Sequence, residues 1–196
     1  MKVLYIHGYG GSPYGNSYQL FKETFSDGVE LLTIDYDVNK PVETLVDIRD
    51  YVETNHIDLV IASSLGGFFA MNLCGVSRIV VNPCWNPVVE LPLIGFDGDI
   101  DGYDVLYRRM LESLDEEERV LCSGCFAPND ELLGTKYVDN FKSFFQRTYT
   151  IPGGHKLTKE AVELIVNEII DDHETQATEE VHKIIGADNL PWLDNL

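Results

Sequence analysis

Short apolar runs rich in β-branched residues recur along the chain at Lys2 to Ile6, Val29 to Asp35, Ile57 to Ala62, Arg78 to Val81, Val120 to Phe126 and Thr148 to Ile151. Each is nearly continuous in apolar character rather than alternating, as parallel strands covered on both faces require. Segments with helical spacing lie between them. Ser17 to Phe25 carries Leu20, Phe21, Thr24 and Phe25 at such spacing. Pro41 to Thr54 opens on a proline, whose fixed φ suits a first helical turn, and sets Val42, Leu45, Val46 and Val52 on or near one stripe. Leu65 to Cys74, Thr135 to Phe144 and Leu157 to Asp171 complete the set. Strand alternating with helix predicts an α/β domain built on a six-stranded, parallel, doubly wound sheet.

Two stretches break the alternation. Asn82 to Glu118 is too long for a plain connection and is rich in Pro, Gly and Asp, so a lid at about 83–118 is expected over the site. After Asp171 the chain turns acidic: Asp171, Asp172, Glu174, Glu179, Glu180, Asp188 and Asp194 face only Lys183. These features divide the chain into a domain at 1–172 and an acidic tail at 173–196. The tail either holds a short helix from Glu179 to Ile185 with Trp192 and Leu193 docking back, or is partly disordered.

Composition narrows the classes. Hydrophobic residues at 44% and charged residues at 24% of 196 positions fit one globular domain able to bury a core. With 33 acidic against 14 basic side chains the net charge is −19, which repels nucleic acid and anionic membrane surfaces and mildly favours neutral or cationic substrates. No apolar run approaches the ~20 residues of a membrane span. The chain opens on Val3-Leu4-Tyr5-Ile6, a core strand rather than a leader, so a cytoplasmic protein is expected. Cys74, Cys84, Cys122 and Cys125 are expected to be buried free thiols. The Cys122-Ser-Gly-Cys125 spacing falls on a strand rather than at the helix start where a redox dithiol belongs.

The strongest chemical signal is Ile61-Ala62-Ser63-Ser64-Leu65-Gly66-Gly67-Phe68. A serine held on a tight strand-to-helix turn needs small residues two before and two after it, because those backbones pass very close. Ser64 has Ala62 and Gly66 there; Ser63 would have Ile61 and Leu65. Ser64 is therefore the candidate nucleophile. The first strand ends in His7-Gly8-Tyr9-Gly10-Gly11-Ser12-Pro13, whose glycines let backbone approach a substrate. The N–H groups of Tyr9 and Leu65 are the candidate oxyanion donors.

A serine hydroxyl needs a base, and the base an orienting carboxylate. After such an elbow the chain order is serine, acid, histidine. His155, in Ile151-Pro-Gly-Gly-His155 beyond the last strand, is the candidate base; His7, His56, His173 and His182 fit poorly. Asp130, in Pro-Asn-Asp130-Glu131 after the preceding strand, is the candidate acid, with Glu131 and Asp139 competing and helix capping as its alternative role. Asp97-Gly-Asp99-Ile-Asp101-Gly102 matches the first half of a calcium loop, but position twelve is Arg108 where a bidentate Glu belongs. An acidic, solvated turn is the better reading, and no metal is assigned.

These residues together resemble the small YqiA-like esterases of the α/β-hydrolase superfamily. The likeness runs from Tyr5-Ile-His-Gly through Ser63-Ser64-Leu-Gly-Gly-Phe-Phe-Ala, Val80-Val-Asn-Pro83 and Asn129-Asp130-Glu131 to Gly153-Gly-His155. Ala62 stands where that family more usually has Gly. The resemblance implies a compact, cofactor-free hydrolase of small acyl esters with Ser64 as nucleophile, His155 as base and Asp130 as acid. The lid residues Trp85, Phe96 and Tyr103 are expected to form an apolar acyl pocket. Thioester or amide hydrolysis by the same groups, and a non-catalytic binding module of the same fold, are the alternatives.

Overall fold

The computed structural model describes residues 1–185. Six parallel strands are ordered β2-β1-β3-β4-β5-β6, with β1 at Lys2–Ile6, β2 at Glu30–Thr33, β3 at Leu59–Ser63, β4 at Ser77–Val81, β5 at Cys122–Phe126 and β6 at Arg147–Thr150. The near-continuous apolar runs follow from burial on both faces. Leu4, Ile6, Val60, Ala62 and Val80 face one helical layer, while their neighbours Val3, Tyr5, Leu59, Ile61, Ile79 and Val81 face the other.

The first layer holds α2 (Pro41–Asn55), α3 (Leu65–Met71), α5 (Ile100–Ser113) and α7 (Val138–Phe145); the second holds α1 (Asn16–Thr24) and α8 (Lys159–Leu164). A π-helical turn at Ile165–Ile169 joins α8 to α9 (Ile170–Ile185). Because β1 leads outward to β2 and the chain then returns to β3 on its other side, the winding reverses between β1 and β3. In open parallel sheets the crevice beyond the strand ends at such a reversal is where ligands bind. β1 runs into the His7–Gly11 loop and β3 into Ser64, so both candidate loops stand at that crevice.

The expected lid is more regular and more deeply packed than its composition predicts. It forms α4 (Pro87–Leu93), α5 and α6 (Glu116–Val120). Asp99 caps α5, its carboxylate accepting from the Gly102 N–H at 2.9 Å. No group of three or more His, Cys, Asp or Glu able to hold a metal occurs among the described residues. Nor is any described helix long and apolar enough to cross a membrane. The thiols of Cys84, Cys122 and Cys125 are buried, whereas Cys74 is exposed.

The tail boundary is also corrected. In place of a short helix from Glu179, α9 starts at Ile170 and carries the chain from the domain without a break. His173, set aside above as a tail residue, is wholly buried. Its ring bridges Ser77 on β4 and Ser123 on β5, each hydroxyl 2.7 Å from one ring nitrogen. Arg147 donates to the His173 carbonyl at 2.9 Å and pairs with Glu180 at 3.1 Å. These polar contacts anchor α9 to the strand ends opposite the crevice. The expected docking of Trp192 and Leu193 lies outside the described residues.

Burial lowers the His173 pKa from 6.5 to about 3, with the positive charges of Arg147 and Arg78 acting in the same direction. The unfolded chain therefore takes up this proton first as pH falls. The stability held above about pH 6.5 is lost at up to about 1.4 kcal/mol per pH unit down to about pH 3. Urea unfolding between about pH 7 and pH 5 is expected to show a steeper loss for the wild type than for His173→Gln. Equal slopes would contradict this account.

Candidate active site

Ser64 is the turn between β3 and α3. Its φ of 51° and ψ of −119° lie where a residue with a Cβ is strained, at an order of 1–3 kcal/mol. Hydrogen bonds fix the conformation: the Ser64 N–H donates to Val81 O at 3.0 Å, and Ser64 O accepts from the N–H groups of Cys84 at 2.9 Å and Phe68 at 3.3 Å. The small-residue rule has a direct cause at Gly66, where a Cβ would collide with the carbonyl oxygens of Ile6 and His7. Gly8 is bound by the same crowding, since a Cβ there would stand 2.8 Å from that of Ser64.

The structure brings the three candidate side chains together. Ser64 Oγ lies 3.1 Å from His155 Nε2, and His155 Nδ1 lies 2.9 Å from Asp130 Oδ2. Asp130 is buried and divides its two oxygens between two tasks. Oδ1 accepts the N–H groups of Leu132 at 2.8 Å and Leu133 at 2.9 Å, and Oδ2 meets the histidine ring. No helix starts here, since residues 131–137 form a turn before α7; Oδ1 closes that turn in place of a helix cap.

The competing acids lie elsewhere. Glu131 Oε2 accepts the His155 backbone N–H at 2.9 Å, which lowers its pKa while leaving it away from the ring. Asp139 is exposed in the first turn of α7.

The loop carrying Tyr9 is pinned from several sides. The Gly11 N–H donates to Gly8 O at 3.0 Å, Tyr36 donates its hydroxyl to His7 O at 2.7 Å, and the His7 and Tyr36 rings stack at 4.6 Å. Leu65 is the first residue of α3, a position whose N–H has no partner within a helix. Tyr9 and Leu65 both border the space beside Ser64.

Asn82 is the residue sequence reasoning passed over, although it sat inside the quoted Val80-Val-Asn-Pro83. Its side chain accepts from the Ala127 N–H at 2.9 Å and donates to Gly154 O at 3.0 Å and His155 O at 3.4 Å. One buried amide thus ties the end of β5, which leads to Asp130, to the loop bearing His155. Its φ of 43° is a left-handed conformation that Asn adopts more readily than most residues.

The expected acyl pocket is misplaced. Trp85 packs among Tyr107, Phe141 and Phe145 at centroid distances of 6.2–6.4 Å. Tyr103 is fully buried against Phe68 and Phe96, each at 5.9 Å, and donates its hydroxyl to Val38 O at 2.9 Å. Phe96 reaches the site region only through the outer ring of Tyr9, at 5.9 Å. These aromatics hold the lid helices to the domain, because rings of this size gain more by burial in the core than at an open wall. The apolar wall beside Ser64 is instead aliphatic, formed by Leu91, Leu93, Ile94, Leu132 and Leu133 around a cavity of about 400 Å³.

With this geometry in place, comparison with known proteins identifies the scaffold. No curated protein matches the sequence. Among solved structures, the chain is similar to Est1E from Butyrivibrio proteoclasticus, with 18% identity, 89% of this chain and 88% of that one covered, and a TM-score of 0.64. It is also similar to the ydeN gene product from B. subtilis, at 16% identity, 89% and 98% coverage and a TM-score of 0.61. An esterase domain from a Rhodothermus marinus protein aligns at 11% identity, with 90% and 87% coverage and a TM-score of 0.65. Identities this low speak to the fold, which is that of the α/β-hydrolases. Residues 2–171 match the uncharacterised protein family UPF0227, the family of the YqiA-like esterases that the sequence motifs resemble, and the chain belongs to it.

Proposed function

We propose that the protein is a serine hydrolase acting on carboxylic esters. The observation that carries this reading is the relay Ser64–His155–Asp130, with its 3.1 Å and 2.9 Å contacts mounted on a strained strand-to-helix turn. In the proposed reaction Ser64 Oγ attacks the ester carbonyl carbon while His155 Nε2 takes the hydroxyl proton. The carbonyl π electrons move to oxygen, and the N–H groups of Tyr9 and Leu65 receive the resulting oxyanion. Asp130 fixes the ring so that Nε2 faces Ser64, and stabilises the imidazolium.

When the oxyanion collapses, the alcohol leaves with the proton from His155, and the acyl group remains on Ser64. Water, deprotonated by His155, then attacks the acyl-enzyme; the acyl–Oγ bond breaks, His155 returns the proton to Ser64 Oγ, and the acid is released. The chain's own groups supply every proton transfer in this scheme.

Folded wild-type protein is expected to take a fluorophosphonate label at one site, and Ser64→Ala to take none. Failure of the wild type to label or to cleave p-nitrophenyl esters would overturn the proposal. Asp130→Asn is expected to lower kcat by about 10³- to 10⁴-fold with little change in KM, since the ring loses its orienting acceptor. Asn82→Ala leaves the Ala127 N–H and the Gly154 carbonyl without their partner, at a cost of about 1–3 kcal/mol in urea unfolding. As a positioning residue it is expected to lower kcat more than it raises KM. A variant of reduced stability with unchanged kcat would confine Asn82 to a structural role.

A further inference from the structure

Two clefts meet at the Ser64–His155 pair; they share Tyr9 and Lys156 and differ in the rest of their walls. One, of about 400 Å³, is walled by Leu91, Leu93, Ile94, Leu132 and Leu133. Three of these are large apolar side chains left open to solvent, Leu93 at 73%, Leu132 at 49% and Ile94 at 43% exposure. Apolar side chains gathered at the mouth of a cavity mark a surface that gains by being covered. The acidic group on this wall, Glu90, is already held by Lys136 at 2.7 Å and by the Tyr137 hydroxyl, so it asks nothing of a ligand.

The other cleft, of about 310 Å³, lies between the His7–Gly11 loop and the start of α1. Beside the rings of Tyr9 and Tyr18 and the side chain of Leu157, its walls carry the hydroxyls of Tyr5, Ser12, Ser17 and Ser63 and the amide of Asn16. Tyr5 and Ser63 hydrogen-bond each other at 2.8 Å, with Ser17 also beside the Tyr5 hydroxyl, so the serine hydroxyls keep capacity for a further partner. The first turn of α1 has no side-chain cap, so its backbone N–H groups add donors at the same place.

We propose that the natural substrate is an ester of an aliphatic acid with a small polyol, the acyl chain lying in the leucine-lined cleft and the alcohol in the hydroxyl-lined one. This rests on the serine-hydrolase reading above and gives its substrate class. The assignment of halves follows from the order of events. The acyl group stays on Ser64 after the alcohol has gone; of the two proposed oxyanion donors, Tyr9 borders both clefts and Leu65 the leucine cleft alone. The alcohol must accept a proton from His155 and return to water, and the hydroxyl-lined cleft includes the exposed Ser12 and Asn16. An aliphatic alcohol there would strip water from several hydroxyls without replacing its hydrogen bonds, which is how polar sites reject apolar groups.

The test compares 1-octanoylglycerol with propyl octanoate on the full-length enzyme, two esters alike in acid and in carbon count of the alcohol. The glyceryl ester is expected to show a kcat/KM at least about tenfold higher, since its free hydroxyls replace hydrogen bonds that the propyl group forfeits. Tyr5→Phe and Ser17→Ala are each expected to reduce that ratio. Equal turnover of the two esters by protein that labels at Ser64, or a ratio unmoved in both variants, overturns the substrate class and leaves the hydrolase reading standing. Failure to label and to cleave either ester overturns both.

Discussion

At the end of β3 the backbone passes through Ser64 at a positive φ and enters α3 so close to β1 that Gly66 has no room for a Cβ against the Ile6 and His7 carbonyls. Much of the site follows from this approach. It raises the Ser64 hydroxyl above the sheet beside the Gly8–Gly11 loop, and it places the Leu65 N–H at an unpaired helix start. The strain is sustained because the surrounding hydrogen bonds determine it: β4 receives the Ser64 N–H, and the chain after β4 returns a donor, the Cys84 N–H, to Ser64 O.

The proposed base and acid arrive on two separate loops, and loops of this kind need local constraints to hold a side chain within hydrogen-bonding reach. Here the constraints are polar and interlocked. Asn82 joins the end of β5 to the loop of His155, Glu131 takes the His155 backbone N–H, and the second oxygen of Asp130 gathers the turn that follows it. Three neighbouring acidic or amide side chains thus set the position of one imidazole, each through a different atom. Such networks are worth more complete than in parts, because any unpaired member keeps its desolvation cost.

The far end of the sheet is held by a different polar cluster. His173 lies fully buried between Ser77 and Ser123, and Arg147 reaches the His173 carbonyl and Glu180. An acidic helix that would otherwise have little apolar surface to offer is thereby made part of the domain. The segment at about 83–118 is attached in another way, through the rings of Trp85, Phe96 and Tyr103 packed into the core. This leaves the aliphatic side chains of α4 and of the segment after Asp130 to face the cavity.

The amino-acid order alone determined the layered fold, because strands buried on both faces must be apolar throughout and the helices between them must carry one apolar stripe. It also located Ser64, His155 and Asp130, since the elbow imposes a local steric pattern and the other two follow named strands. What it could not decide was which of several equivalent apolar residues in the lid would face the cavity. Hydrophobicity says that Trp85 and Leu93 both gain from burial, but only the packed neighbours show that Trp85 finds its cover in the core and Leu93 does not. The same holds for Asn82 and His173. Each looks like an isolated polar residue along the chain, and each acquires its place only when the fold brings partners to it from as many as 96 positions away.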